Sequence, residues 1–445
     1  MTVLFFLRNF LPYTSGNGAS VMTWAFAQQL IADGHKVSIC KFESSDTGGW
    51  QWLADAEALM ASRGISVRKL SSPESRRGNR LLRGVRRLGT MVRRPIQPRL
   101  EDFYPSRVSA REVQHIIEQE RPDVLYAYDM SAIALLTRLP VRTPIIASIV
   151  DLPAEWLRHR RKYKPQRSNL GWAQRVLDLL AERKVAEHSL DCLRRCDSVI
   201  EHAAHHARWL KDHGVACVYL PNPVQDPVER GVQLCQAKPR VAGSIKIGMM
   251  GANRGLATIA GLKFFVDLLL PALTPADREV FEFHIFGSGE PPGPILKRLK
   301  GDRNVRIRGH VKDIDSEFLS CRFLLVPTPI DLGFRTRIAE GFGYGAVVVA
   351  HAANAEGMPE LKHLENCFLC SQPEQFLTAF RQLASDDELL ARLSQNARSC
   401  FEQHYASHVV ARKMIQAALR ITGNVASQSR TRVLTTVTEP EDSSR

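Results

Sequence analysis

The sequence predicts an α/β protein built from two doubly wound, Rossmann-like domains facing a central cleft. Three observations carry this expectation. The chain has 445 residues, 44% of them hydrophobic, which is more than one core holds, because single cores stop growing near about 250–300 residues. Short apolar runs alternate with amphipathic stretches in both halves, the β–α rhythm of a parallel sheet. That rhythm pauses once, after Pro221-Asn222-Pro223, where a polar segment holding Pro227 and Pro239 has no clear period up to Gly243.

In the first half, residues 3–7, 36–40, 123–128, 144–150, 198–202 and 217–221 read as strands. Residues 21–32 read as a helix, with Trp24, Phe26, Ala27, Leu30 and Ile31 largely on one stripe and Gly34 placed to close it. Residues 1–225 are expected to form the first domain and 226–243 a linker. The rhythm restarts with strands at 246–251, 281–287, 305–310, 323–328 and 346–351, giving a second domain over 244–400. The pattern from 373 to 418 is helical, and the helix at 401–422 is expected to return to the first domain. The segment 423–445 is polar, low in large apolar groups, and expected to be disordered.

Sixty Lys and Arg against 46 Asp and Glu give a formal charge of +14, which favours polyanions, anionic lipid or phosphorylated small molecules. The charge is clustered in residues 76–99 and 158–167. No nucleic-acid partner is expected, since the long arginine run lacks the interleaved aromatics on which single-stranded bases stack. In that run Leu81, Leu82, Val85, Leu88 and Val92 fall near helical spacing, so a contact with an anionic membrane surface is one expectation and a basic surface loop the other. Nine scattered cysteines argue for a reducing compartment. No metal is expected, because Cys367-x-x-Cys370 has only His363 as an obvious further ligand. The N-terminus has no basic region before its short apolar run, and no stretch approaches the roughly 18 apolar residues of a membrane span, so the expected location is cytoplasmic.

In doubly wound sheets, ligands gather where strands end in loops at their carboxyl ends. Four such loops stand out. Gly16 and Gly18 follow the first strand and either let backbone N–H groups approach an anion or form a tight turn that caps a helix; they lack the third glycine of a dinucleotide fingerprint. Gly251-Ala-Asn253-Arg254-Gly255 and Gly287-Ser-Gly289-Glu290 each follow a strand of the second half and would open onto one crevice. The fourth loop carries most weight. Gly333 precedes a short helix that bears Arg335, Arg337 and Glu340 at its start. The two arginines are fixed cations suited to a diphosphate, and Glu340, one turn past Arg337, can accept two sugar hydroxyls. The competing reading, a solvated Arg–Glu pair, would not need the flanking glycines or the buried strand that follows.

These residues resemble the retaining glycosyltransferases of family 4, a GT-B family using nucleotide-activated sugars. The resemblance spans about residues 1–420. It rests on LIADGHKVSIC, PDVLYAY, CDSVIEHAAHHARWLKDHGV and VYLPNPV in the first half, and on IGMMGANRG, FHIFGSGE, VRIRGHVKDID and GFRTRIAEGFGYGAVVVAHAANAEGM in the second. It implies a Glu-x7-Glu motif holding the donor, with Glu340 as its second acid on the nucleotide ribose, and Arg335 with Arg337 as the basic pair on the diphosphate. It implies nucleotide contacts at Gly16, Gly18, Gly251, Asn253, Arg254, Gly287, Gly289, Val311 and Gly333. The first acid would fall on Leu332; Asp331 is adjacent but out of register. Where many members carry histidines in the first domain, this chain has Tyr126, Tyr128 and Asp151. Asp151 either orients the acceptor or reacting sugar or caps the helix that follows it.

The resemblance implies transfer of a sugar from an NDP-sugar donor to a hydroxyl of a saccharide or lipid-linked acceptor, with retention at the anomeric carbon, in polysaccharide or glycolipid synthesis. Catalysis would rest on positioning and on stabilising the departing diphosphate through Arg335, Arg337 and Arg254, with no cofactor and no metal. The alternatives are a GT-B epimerase or phosphorylase and a non-catalytic binding protein.

Overall fold

Runs apolar at every position form strands covered on both faces, as expected of parallel sheets whose crossover helices lie on either side. A computed structural model describes residues 1–14, 18–42, 52–70, 108–163, 171–234 and 244–436. Its first sheet contains β1 (Thr2–Arg8), β2 (Lys36–Phe42), β3 (Ser66–Leu70), β4 (Val124–Tyr128), β5 (Ile145–Ile149), β6 (Ser198–Glu201) and β7 (Cys217–Tyr219), in the order β3-β2-β1-β4-β5-β6-β7. The second contains β8 (Ile245–Met250), β9 (Phe281–Phe286), β10 (Val305–Gly309), β11 (Phe323–Val326), β12 (Val348–His351) and β13 (Phe368–Cys370), in the order β10-β9-β8-β11-β12-β13. Every named pairing is parallel. Both sheets reverse direction of growth beside their first strand, between β1 and β4 and between β8 and β11, and there the loops leave a crevice.

The pleat divides the core in two. In β1, Val3, Phe5 and Leu7 pack on one face and Leu4 and Phe6 on the other. Tyr126 in β4 belongs to this core, with its ring 4.7 Å from Phe5 and 5.0 Å from Phe26. In the second domain, β8 and β9 send Ile247, Met249, Phe283 and Ile285 into one cluster, while β11 and β12 send Leu324, Val326, Val348 and Ala350 into the other.

Two strands lie outside the sequence expectation. β3 is an edge strand whose Arg68 and Lys69 face water and pair with Glu120 and Glu57, so its charges hide the strand pattern. β13 is only three residues long.

The chain crosses between domains at two adjacent points. Val224 N–H donates to Tyr405 O at 2.8 Å and Ser407 N–H to Val224 O at 2.9 Å. Beside them Arg398 grips Asp226 with two nitrogens, at 2.9 and 2.6 Å. Phe401 and Tyr405 are buried in the second domain, whereas Val410, Met414, Ile415 and Ala418 pack into the core of the first, against the helix Gly18–Ala32. The last helix, Ser407–Thr436, continues past Gly423, where a disordered tail was expected. A helix already nucleated by packing gains one hydrogen bond per added residue, which lets it run on into polar sequence. The rest of that tail, 437–445, lies outside the described residues, as do Gly16 and the arginine run 76–99.

Candidate functional site

The second-domain half of the site is made by backbone approaching backbone. A Cβ on Gly287 would run into the carbonyl oxygen of Gly251, so the loops after β9 and β8 touch because residue 287 is glycine, while the bare Gly251 makes room for Arg337 and Thr258. Asn253, nearly fully buried, ties them together by donating from Nδ2 to Gly289 O at 2.9 Å and Gly287 O at 3.3 Å. Gly287 N–H donates to Gly309 O at 2.8 Å, which brings the half-buried Val311 to the same end of the sheet. Arg254 is exposed, and its stem lies 3.4 Å from where a Cβ on Gly289 would stand.

Arg337 reaches into this junction. It lies in the first turn of the helix Thr336–Gly343, and its Nη1 donates to Met250 O at 2.8 Å, the last carbonyl of β8. A Cβ on Gly251 would stand 2.7 Å from that nitrogen. The guanidinium therefore sits over the glycine loops with its remaining donors at the crevice that Met250, Asn253, Thr258, Pro327 and Thr328 also line. Burial lowers its pKa to about 10 against the pull of Glu340, so it remains a cation at neutral pH. Glu340 lies one turn further on. Burial raises its carboxyl, and Arg337 and then Arg230 oppose that rise.

Arg335 is placed differently from an open phosphate clamp. It is the N-cap residue of this helix and 5% exposed, with its guanidinium donating to Leu332 O and, at 2.9 Å, to Ile330 O. It holds the turn around Gly333, while Nε has no partner among the described residues. Burial lowers its pKa to about 9, helped by the nearby Arg337. Leu332, at the register position of the absent acid, packs with Ile330 and Ala260 beneath Trp156 and Tyr163 of the first domain.

The first domain meets the Gly333 turn directly. Gly333 has φ +66°, and a Cβ there would collide with Asp151 Oδ1. Asp151 follows β5 and is placed at the seam between the domains, where burial raises its pKa against the charges of His206, Arg335 and His159. Further contacts hold the seam. His159 Nε2 lies 3.2 Å from Asp331 Oδ1, Ala204 N–H donates to Gly357 O at 3.1 Å, and Arg208 reaches Glu356 at 3.2 Å. Around Asp151, the first domain also gathers Glu201, His205 and His206. Of the glycines expected near β1, Gly18 opens the helix Gly18–Ala32 with nothing within 4 Å of a Cβ.

Residues 245–386 match the family model described as glycosyl transferases, group 1. No curated protein sequence matches the chain. Among solved structures, Alr3699/HepE of Anabaena in complex with UDP is similar over 94% of this chain and 99% of its own, at 14% identity and a TM-score of 0.61. The sucrose-phosphate synthase of Thermosynechococcus elongatus is similar over 95% and 99%, at 12% identity and TM-score 0.64. The lipopolysaccharide outer core galactosyltransferase WaaB is similar over 94% and 99%, at 12% identity and TM-score 0.60. The architecture is GT-B.

Within this GT-B frame the glycine loops and the Gly333 turn named from the sequence lie together in the second domain, with Asp151 against Gly333, and the neighbouring Glu201, His205 and His206 were not among the residues named. Their signal was present. His202, His205 and His206 follow a strand end within five residues, next to Glu201, at the end of a parallel strand where ligands gather.

Proposed function

We propose that the chain transfers a glycosyl unit from a nucleoside diphosphate sugar to a hydroxyl of a saccharide or lipid-linked acceptor, with retention at the anomeric carbon, in polysaccharide or glycolipid synthesis. The observation that carries this is the junction of Gly251 and Gly287 under the guanidinium of Arg337. Side-chain-free backbone beneath a fixed cation fits a diphosphate, which needs close approach and charge together. The group 1 match over 245–386 and a UDP-bound structural neighbour support the same reading.

In this reaction the anomeric carbon–oxygen bond to the diphosphate breaks and the diphosphate leaves with the electron pair. The acceptor oxygen bonds the same face of that carbon, and its proton passes to the departing phosphate. Arg337 and Arg254 stabilise the charge that develops on the diphosphate. Glu340 holds the ribose, and Arg335 keeps the Gly333 turn in shape around the sugar. The work is positioning and charge stabilisation by cationic side chains, so no divalent metal is called for.

A screen of NDP-sugars by thermal shift tests the donor, since a ligand that binds only the folded state raises its melting temperature. The expected outcome is a rise with one nucleotide class and transfer only when a hydroxyl acceptor is added. Turnover of that donor should persist in EDTA. Turnover abolished by EDTA and restored by Mg²⁺ would overturn the metal-free mechanism, and complete turnover without acceptor would point to a different reaction.

A further inference from the structure

Residues 356–360 follow β12 and the short 3₁₀ helix Ala352–Glu356, and they lie between the first domain and the Gly333 turn. Glu360, half-buried, receives two phenol hydroxyls on one oxygen: Tyr219 OH donates to Oε2 at 3.0 Å and Tyr405 OH at 3.1 Å. Tyr219 ends β7 of the first domain. Tyr405, fully buried, ends the π-helical turn Phe401–Tyr405 that leads into the C-terminal helix. Burial pushes both phenols above their ordinary range, so both keep their protons and donate.

Three residues back, Gly357 is held from two sides. Its carbonyl accepts from Ala204 N–H at 3.1 Å. Ala204 opens the helix Ala204–Asp212, whose first amides have no acceptor within the helix, so an orphan donor of the first domain is satisfied by the second. On its other side Gly357 lies against the donor turn, where a Cβ would stand 2.7 Å from Gly333 O. Tyr405 meets the same turn through its ring, which packs edge-on against Phe334 with centroids 5.6 Å apart. Both routes from Glu360, through Gly357 and through Tyr405, end beside Gly333. Tyr405 and Glu360 could satisfy each other within the second domain; the hydroxyl of Tyr219 on the same oxygen makes the arrangement a tie between domains. The neighbouring pair of Arg208 with Glu356 is more than half exposed on both partners and adds little.

We propose that Glu360 is a positioning residue for transfer: by taking the hydroxyls of Tyr219 and Tyr405 on one oxygen, it fixes residues 356–360 to the first domain and so holds the Gly333 turn in register with Asp151. This rests on the transferase reading and deepens it. Glu360 acts at a distance from the donor, through Gly357 and Phe334, and touches neither the diphosphate nor the sugar.

The test uses the full chain, with UDP as the binding probe, UDP-glucose as the trial donor, and backbone hydrogen exchange read by mass spectrometry. Tyr219→Phe removes one hydroxyl and is expected to lower kcat by about tenfold, less than the roughly hundredfold that a misplacement of about 1 Å can cost. UDP affinity should be unchanged, because the diphosphate contacts proposed above belong to the second domain. Glu360→Ala should show the same loss. Glu360→Gln keeps an oxygen that accepts both hydroxyls and should recover most of it. Tyr219→Phe added to Glu360→Ala should cost nothing further, since the two act through one bond. Apart from turnover, the amides of Ala204 and of residues 331–335 should exchange faster in Tyr219→Phe and Glu360→Ala than in the parent, and at the parent's rate in Glu360→Gln. A parent chain that turns over donor, with Tyr219→Phe keeping its kcat, overturns the positioning role. If the parent turns over no donor the transferase reading is in question instead, and exchange alone decides: parent-like protection of Ala204 and of the Gly333 turn in both Tyr219→Phe and Glu360→Ala overturns the proposal.

Discussion

Arg335 and Arg337, two residues apart on one short helix, have different tasks because the chain turns at Gly333. Arg335 folds back onto the carbonyls of Ile330 and Leu332, while Arg337 points along the helix start to Met250 and the glycine loops. Arg337→Ala is therefore expected to weaken UDP binding by about 1.5–3 kcal/mol, the cost of one charge-assisted contact, or roughly tenfold to a hundredfold by calorimetry. The unliganded chain should still fold, since Arg337 lines the crevice and belongs to neither apolar cluster of the second domain. Glu201 yields a prediction with a definite sign. Burial holds its folded-state pKa well above its ordinary value, with Asp151 adding to the rise. Above the ordinary value the unfolded chain loses this proton and the folded chain keeps it, so the group lowers stability progressively as pH rises. Glu201→Gln removes that penalty. Its melting temperature should exceed the parent's at pH 8, with the difference closing as the pH falls toward about 4.5, the range of an unperturbed carboxyl. A difference of the same size at both pH values would show that Glu201 is ionised in the fold.

At the scale of elements, the C-terminal helix Ser407–Thr436 has its root in the second domain and its buried face in the first. Met414 is fully buried between that helix and the core of the first domain. Met414→Ala is expected to cost about 2–5 kcal/mol, seen as a lower denaturant midpoint, with the loss falling on the first domain although the residue follows the second in sequence. The periodicity of this helix was legible, as were the strands buried on both faces, because continuous apolar runs bounded by turn residues have few other fates. β3 was not legible, since Arg68 and Lys69 form ion pairs at a sheet edge and leave little apolar pattern. The glycine loops at 251 and 287 showed in the sequence as punctuation at two strand ends, but their collision-free contact depends on strand order, which no local pattern encodes. The turn of Arg335 back onto its own loop was equally hidden, because a guanidinium beside a glycine reads the same whether it meets a ligand or a backbone carbonyl. The nearness of Asp151 to Glu201 was missed for a related reason: they come from two strand ends 50 residues apart in sequence and become neighbours only through the pairing of β5 with β6.

For the whole molecule, the two domains meet along a seam, and Asp151 and Gly333 face each other across it. This contact is made by residues that differ in kind. Gly333 supplies a positive φ that side chains disfavour and a surface without a Cβ, and Asp151 fills the space that a Cβ would take. The neighbouring contacts, His159 with Asp331 and Arg208 with Glu356, are ion pairs with a partner more than half exposed; exposed pairs are each worth about 0–1 kcal/mol. They cannot hold the seam against a steric clash. Gly333→Ala is therefore expected to push the first domain off the donor loop while leaving both sheets folded. The proposed diphosphate contacts at Gly251, Asn253 and Arg337 lie within the second domain, so affinity for UDP should stay within a few-fold of the parent. Asp151 is expected to stand opposite the donor, so kcat should fall by about tenfold or more, as a misplacement of about 1 Å is enough to cost on the order of a hundredfold. Small-angle scattering should show a larger radius of gyration for the variant with UDP bound than for the parent with UDP bound. Loss of UDP binding in step with kcat would mean instead that Gly333 shapes the diphosphate site itself, and unchanged kcat would mean that the reacting sugar does not depend on this contact between the domains.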